Sequence, residues 1–148
     1  MDCDGVLTDG RLYFSETGET IKAFHVRDGQ GIVMWHEAGF RSGIISGRDS
    51  PIVELRARKL GIEFIVQGRN EKVGALNNIA AAAGVDLNEI AYIGDDLPDA
   101  PVMTLAGLGV AVADAVHEAR EAAHYVTKLK GGHGAVRELV NILLESKI

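Results

Sequence analysis

An α/β fold, with a Rossmann-like parallel sheet, helices on both faces and a small β-hairpin inserted after the first strand, is predicted by three observations. From about residue 29 onward, short apolar runs alternate with helical stretches, the pattern of parallel strands joined by crossover helices. Two acidic clusters, Asp2-Cys3-Asp4-Gly5 and Gly94-Asp95-Asp96, each follow or end an apolar run. The 148 residues contain no convincing repeat or linker, so one domain spanning 1–148, with a real core, is expected.

The elements follow in order. The first strand should be apolar for about five residues, yet only Met1 precedes Asp2. The strand therefore reads as cut short, by a misplaced start or a trimmed chain. Residues 11–14 and 20–26 flank Glu16-Thr17-Gly18-Glu19, a hairpin at about 11–26 with a glycine-containing turn. A helix over 29–38 stops at Gly39. Residues 41–46 form a strand ending in Ser46-Gly47-Arg48. Ser50 and Pro51 then open a helix that runs to Leu60 and stops at Gly61. A strand over 63–67 precedes a helix over 71–83, with Asn70 as its cap and Gly84 as its stop. The remaining elements are a buried strand over 90–94, a short helix over 98–105, a strand over 109–113, a helix over 116–123 and a short strand over 125–127. The last is an amphipathic helix over 135–145, where Val136, Leu139, Val140 and Leu143 share a face.

Composition narrows the function. Hydrophobic residues make up 47% and charged residues 24%, ordinary for a globular protein. A formal net charge of −6 argues against broad nucleic-acid or acidic-membrane binding, so an anionic substrate needs a local basic cluster. The lone cysteine, Cys3, cannot form an internal disulfide and fits a reducing, cytoplasmic compartment. No apolar run approaches the roughly 18 residues of a membrane span, and no secretory signal pattern opens the chain.

The opening aspartates carry the most chemistry. Strand positions two apart face the same way, and a glycine turn lets the second carboxylate swing across a bound phosphate. Asp2 is then a nucleophile that forms an aspartyl-phosphate, and Asp4 an acid that later activates water. The plainer alternative is a pair of turn aspartates at a strand end. Asp95 and Asp96 repel one another unless a cation or hydrogen bonds offset the repulsion. Asp2, the Asp4 carbonyl and Asp95 would suffice for Mg²⁺, with water and phosphate completing the shell. Asp96 and Asp99 read equally as support for that site or as helix caps. Ser46 and Gly47 at a strand end can hold a phosphoryl oxygen or make a simple turn. Lys72 stands near a helix start, where its charge suits the dipole poorly. It either neutralises the phosphoryl group or is a solvated lysine. Arg27, Arg48, Arg56 and Arg137 are candidate clamps for carboxylate or phosphate, each with a surface alternative. A cysteine phosphatase wants an arginine six positions after Cys3 and finds Asp9. His36, His117 and His124 lack metal-ligand spacing, and Met34 and Trp35 read as packing.

The order Asp-x-Asp, Ser, Lys, Gly-Asp-Asp resembles the haloacid dehalogenase superfamily of aspartate-nucleophile phosphatases. More narrowly, Asp2–Gly10, residues 24–31, Ser46-Gly47-Arg48, Tyr92-Ile93-Gly94-Asp95-Asp96 and residues 131–138 are similar to the 3-deoxy-D-manno-octulosonate 8-phosphate phosphatases. That resemblance implies a Mg²⁺-dependent hydrolase of a phosphorylated 2-keto sugar acid, serving lipopolysaccharide synthesis. It implies a capless homotetramer whose hairpins associate and whose neighbour helps close the site. It assigns Asp2, Asp4, Ser46 and Lys72 to catalysis, and Asp2, Asp4 and Asp95 to the metal. It places His25, Arg27, Asp28, Gly29, Gly47, Arg48, Arg56 and His133 at the substrate. His25 stands where the family commonly has asparagine, and His133 where an arginine often closes the neighbour's site. Both leave room for a sialic-acid type 9-phosphate. From other classes, a phosphoacceptor receiver domain and an inactive oligomerisation module remain as rivals.

Overall fold

The computed structural model describes residues 1–146. Two strands form the hairpin, β1 (Tyr13–Ser15) and β2 (Gly18–Ile21), joined by Glu16 and Thr17. The body then runs α1 (Val26–Glu37), β3 (Gly43–Ile45), α2 (Pro51–Lys59), β4 (Phe64–Val66) and α3 (Val73–Ala83). It continues through β5 (Ala91–Gly94), α4 (Ala100–Leu105), β6 (Leu108–Ala111), α5 (His117–Ala122), β7 (Tyr125–Val126) and α6 (Ala135–Glu145).

The body strands pair in parallel: β3 with β4, and β5 with β6 and β6 with β7. The two groups do not pair with one another; Met1 and Asp2 span the gap. The Met1 carbonyl accepts the Ile45 N–H at 2.9 Å and its amino group donates to the Gly43 carbonyl at 3.0 Å, while Asp2 N–H donates to the Ile93 carbonyl at 3.0 Å. Two residues thus do the work of a central strand. Before them, between β3 and β5, lies a cavity of about 340 Å³ lined by Met1, Ile45, Phe64, Leu76, Ile93 and Leu139 among others.

Both faces of the sheet are covered, as a parallel sheet requires. Neighbours Ile44 and Ile45 point to opposite faces, and both are buried; so are Tyr92 and Ile93, and Val110 and Ala111. Helix α6 lays Ala135, Val136, Leu139 and Val140 into the core. It approaches α1 closely, so that a Cβ at Gly31 would stand 3.1 Å from the Arg137 Cα.

Several element bounds differ by a few residues from expectation, and at two helices the cap explains the difference. Helix α1 begins at Val26 rather than 29, because the His25 imidazole caps it by accepting the Arg27 N–H at 3.2 Å. The second hairpin arm therefore ends at Ile21 instead of running to 26. Helix α3 begins at Val73, and Glu71 rather than Asn70 satisfies its free N–H groups, accepting from Val73 at 2.9 Å and Gly74 at 3.1 Å. Ser50 does precede α2, but without a side-chain capping bond. Helix α6 spans the residues its periodicity indicates.

Candidate active site

The carboxyl ends of the strands converge on one hollow, lined by Asp2, Asp4, Ser46, Gly47, Arg48, Lys72, Asp95, Asp96, Pro98 and Asp99. They arrive on four segments: the opening loop, the turn after β3, the start of α3 and the turn after β5. Asp2 and Asp4 open the chain, and after them the backbone coils tightly: the N–H groups of Val6, Leu7 and Thr8 all converge on the Cys3 carbonyl. The buried Thr8 hydroxyl accepts from Gly5 and Gly10 N–H at 3.3 and 3.2 Å, fixing the loop. Gly5 has φ +91°, and a Cβ there would lie 2.0 Å from the Asp95 carboxylate. Any other residue would push Asp95 away from the opening pair.

Lys72 is 4% exposed, which settles its alternatives in favour of a buried cation. Its ammonium reaches Asp2 Oδ1 at 2.9 Å and Asp99 Oδ1 at 2.7 Å. Asp99 is fully buried and has four partners. Oδ1 also accepts the Tyr92 hydroxyl at 2.6 Å, and Oδ2 accepts the N–H groups of Asp95 and Asp96 at 3.0 and 3.2 Å. Asp99 therefore fixes both the lysine and the turn that presents Asp95. The sequence allows it support or capping, and its bonds to Lys72 and to the Asp95 and Asp96 N–H groups combine the two.

The cluster is short of positive charge. Ligand atoms of Asp2, Asp95 and Asp99 lie within 4.8 Å of one another. Burial first, and then the Asp99 charge, hold Asp2 above the usual carboxylate range, with Lys72 opposing. Burial and then the Asp2 charge push Asp95 up to about 9. Burial works to lower the Lys72 pKa, but its two aspartates prevail and raise it. Asp95 Oδ1 is buried with no hydrogen-bond partner. A lone, orphaned carboxylate oxygen beside a second carboxylate is a donor set suited to a hard divalent cation. Asp99, with its lone pairs already engaged, is a poorer ligand than Asp2 and Asp95.

Ser46 is buried at the end of β3, its Oγ accepting the Arg48 N–H at 3.3 Å. Arg48 Nη2 donates to Glu19 Oε2 at 3.0 Å. The buried Lys22 lies against Asp4 Oδ1 and sits 3.0 Å from Glu19 Oε1. Sequence reading passed over both Lys22 and Glu19. Their only signal was charge within a hairpin otherwise rich in apolar residues.

The remaining candidates lie outside the hollow's lining. Asp28 is 1% exposed and binds the N-terminus of α6, accepting from Gly134 at 3.2 Å and Arg137 at 2.9 Å. Its visible work is to tie α1 to α6. Gly29 leaves room for Arg56, whose Nη2 would lie 2.4 Å from a Cβ there. Arg56 sits over the Phe24 ring at 5.7 Å, with its buried Nε unpartnered. His25 is the α1 cap and Arg27 is exposed in its first turn. His133 is exposed, its Nδ1 2.8 Å from the Gly131 carbonyl. Its loop packs on the loop that follows Asp4, with Gly132 N–H donating to the Val6 carbonyl at 2.8 Å. Arg137 donates to Asn141 Oδ1 at 3.0 Å.

Fold and site together define a hydrolase built around an aspartate pair. The chain belongs to the haloacid dehalogenase-like hydrolases, whose family model matches residues 36–139. It is 46% identical over 143 residues to the 3-deoxy-D-manno-octulosonate 8-phosphate phosphatase of Yersinia pestis, covering 97% of this chain and 76% of that one. Among solved structures, a probable YrbI-family phosphatase from Pseudomonas syringae superposes with a TM-score of 0.96 at 50% identity, covering 99% of this chain and 83% of that one. The 3-deoxy-D-manno-octulosonate 8-phosphate phosphatase of Moraxella catarrhalis, in complex with magnesium ion, phosphate ion and KDO, has a TM-score of 0.96 at 40% identity. It covers 99% of this chain and 84% of that one. The family sets aside the receiver-domain rival. Among the described residues, no helix is long and apolar enough to cross a membrane.

Proposed function

We propose that this protein is a Mg²⁺-dependent phosphatase acting on 3-deoxy-D-manno-octulosonate 8-phosphate. The observation that carries the chemistry is the junction of Asp2, Lys72, Asp99 and Asp95, held together by ion pairs of 2.9 and 2.7 Å and a shared carboxylate cluster. The likeness to the Yersinia and Moraxella phosphatases supports the substrate.

A Mg²⁺ ion held by Asp2, Asp95 and the Asp4 carbonyl would offset the charge of the phosphoryl group. An Asp2 carboxylate oxygen attacks phosphorus in line as the bond to the sugar oxygen breaks. Lys72, the Ser46 hydroxyl and the Gly47 N–H stabilise the phosphoryl oxygens. Asp4 gives its proton to the departing sugar oxygen. It then takes a proton from water, which attacks the same phosphorus and frees inorganic phosphate and Asp2.

Leu12, Tyr13, Phe14 and Ile21 leave 40–63% of their surface exposed along the hairpin. Such an apolar face suits self-association, and a homotetramer meeting through the hairpins follows from this reading. A single buried cysteine accords with a cytoplasmic setting.

The test is phosphate release from a panel of phosphorylated 2-keto sugar acids and simple sugar phosphates, in Mg²⁺ and in EDTA. Metal-dependent preference for the 8-phosphate is expected. Preference for a nine-carbon 9-phosphate would reassign the substrate, and release unaffected by EDTA would remove the metal.

A further inference from the structure

The Asp4 carboxylate is held unevenly. Lys22 lies against Oδ1, while Oδ2 is buried with no hydrogen-bond partner. Lys22 follows β2, its side chain is 1% exposed, and its second anchor is Glu19 Oε1 at 3.0 Å. Glu19 in turn holds Arg48 at 3.0 Å, and Arg48 Nε stands 3.9 Å from Asp4 Oδ2. The four charges close a ring between the hairpin, the opening loop and the turn after β3. A buried ammonium fixing one carboxylate oxygen leaves the other to exchange a proton in the hollow.

We propose that Lys22, steadied by Glu19, is a positioning residue that presents Asp4 Oδ2 to the leaving-group oxygen, so the hairpin is a working part of the site. The inference rests on the phosphatase reading above. A sugar alkoxide needs a proton to depart, whereas the 4-nitrophenolate of 4-nitrophenyl phosphate does not. Misplacing Asp4 therefore harms only the first reaction in its phosphoryl-transfer step. General acid catalysis contributes about 10²–10⁴-fold, and loosening the acid rather than deleting it forfeits part of that.

The test is single-turnover phosphorylation of Asp2, with Mg²⁺, for wild type, Lys22→Met, Lys22→Arg and Glu19→Gln, using both substrates. Lys22→Met should slow transfer from the sugar phosphate about 10–100-fold and from the aryl phosphate less than about 3-fold. Lys22→Arg should recover most of the loss. Glu19→Gln, which keeps the ammonium, should show the same selectivity at about 3–10-fold, and it decides the matter if Lys22→Met does not fold. Equal losses on both substrates, or none on either, would overturn the positioning role. A wild type inert to both would instead overturn the phosphatase reading and take this inference with it.

Discussion

Asp95 offers a direct reading of the charge imbalance through Asp95→Asn. Its pKa rises to about 9 in the metal-free protein, through burial first and then the Asp2 charge. The native state therefore keeps a proton that the unfolded chain releases near its ordinary value of 3.8. Native protein binds more protons across that window, so stability falls as pH rises from about 4 toward about 9. Each unit crossed costs about 1.4 kcal/mol, giving roughly 4 kcal/mol at neutrality as an upper bound. Solvent at the mouth of the hollow reduces this to about 1–3 kcal/mol. The neutral amide escapes that cost. In EDTA at pH 7–8 the variant should be the more stable, its Tm raised by about 2–4 °C for each kcal/mol. The difference should vanish below about pH 4. Saturating Mg²⁺ should reverse the order, because wild type gains about 2.7 kcal/mol at a hundredfold excess over Kd and the variant lacks the ligand. Thermal melting across pH, in EDTA and in Mg²⁺, measures both effects. A variant no more stable than wild type in EDTA, or one with an undiminished Mg²⁺ gain, would refute the reasoning.

Other expectations concern the neighbouring groups. Asp2→Asn should retain the fold by circular dichroism yet give no acid-stable phosphoenzyme and no phosphate release; turnover near the wild-type rate would remove Asp2 as nucleophile. Lys72→Met strips the shared cation from Asp2 and Asp99, and should cost about 3–5 kcal/mol in denaturant unfolding, a loss that added Mg²⁺ partly restores. Asp28→Ala unties the start of α6 and should cost about 1–3 kcal/mol, visible as faster hydrogen exchange at Gly134 and Arg137. Cys3 is 0% exposed, and burial pushes its thiol well above the usual range. A thiol reagent should therefore label it only as fast as the protein unfolds.

The sequence was most legible where chemistry sits at the ends of apolar runs. Asp2, Asp4, Ser46, Lys72 and Asp95 share one hollow because parallel strands deliver their carboxyl ends to one edge. Lys72 was recognisable for standing at a helix start that gains nothing from it. Long-range pairings left no local trace. Asp28 meets Gly134 and Arg137 across separations of 106 and 109 residues, and the resemblance alone offered it a role, at the substrate. The early start of α1 was hidden for another reason: His25, an unusual cap, holds Val26, Arg27 and Asp28 in the helix, while Gly29 and Gly31 within it admit Arg56 and α6.

Why the opening aspartates differ also emerges only in three dimensions. They lie one residue apart in sequence, yet each has its own lysine from a different element. Lys72 bridges Asp2 to the fully buried Asp99, and Lys22 bridges Asp4 to Glu19 on the hairpin. Asp2 is buried among fixed partners, which suits the in-line nucleophile proposed above. Asp4 keeps a side chain 17% exposed, with Oδ2 itself buried; it lines the hollow that a leaving group and then water would enter. Both lysines are already shared, and Asp95 is left with a buried oxygen that no hydrogen bond satisfies, the place where a divalent cation would offset the deficit. On the proposed mechanism, environment more than sequence position would divide nucleophile, acid and metal ligand among residues of one type.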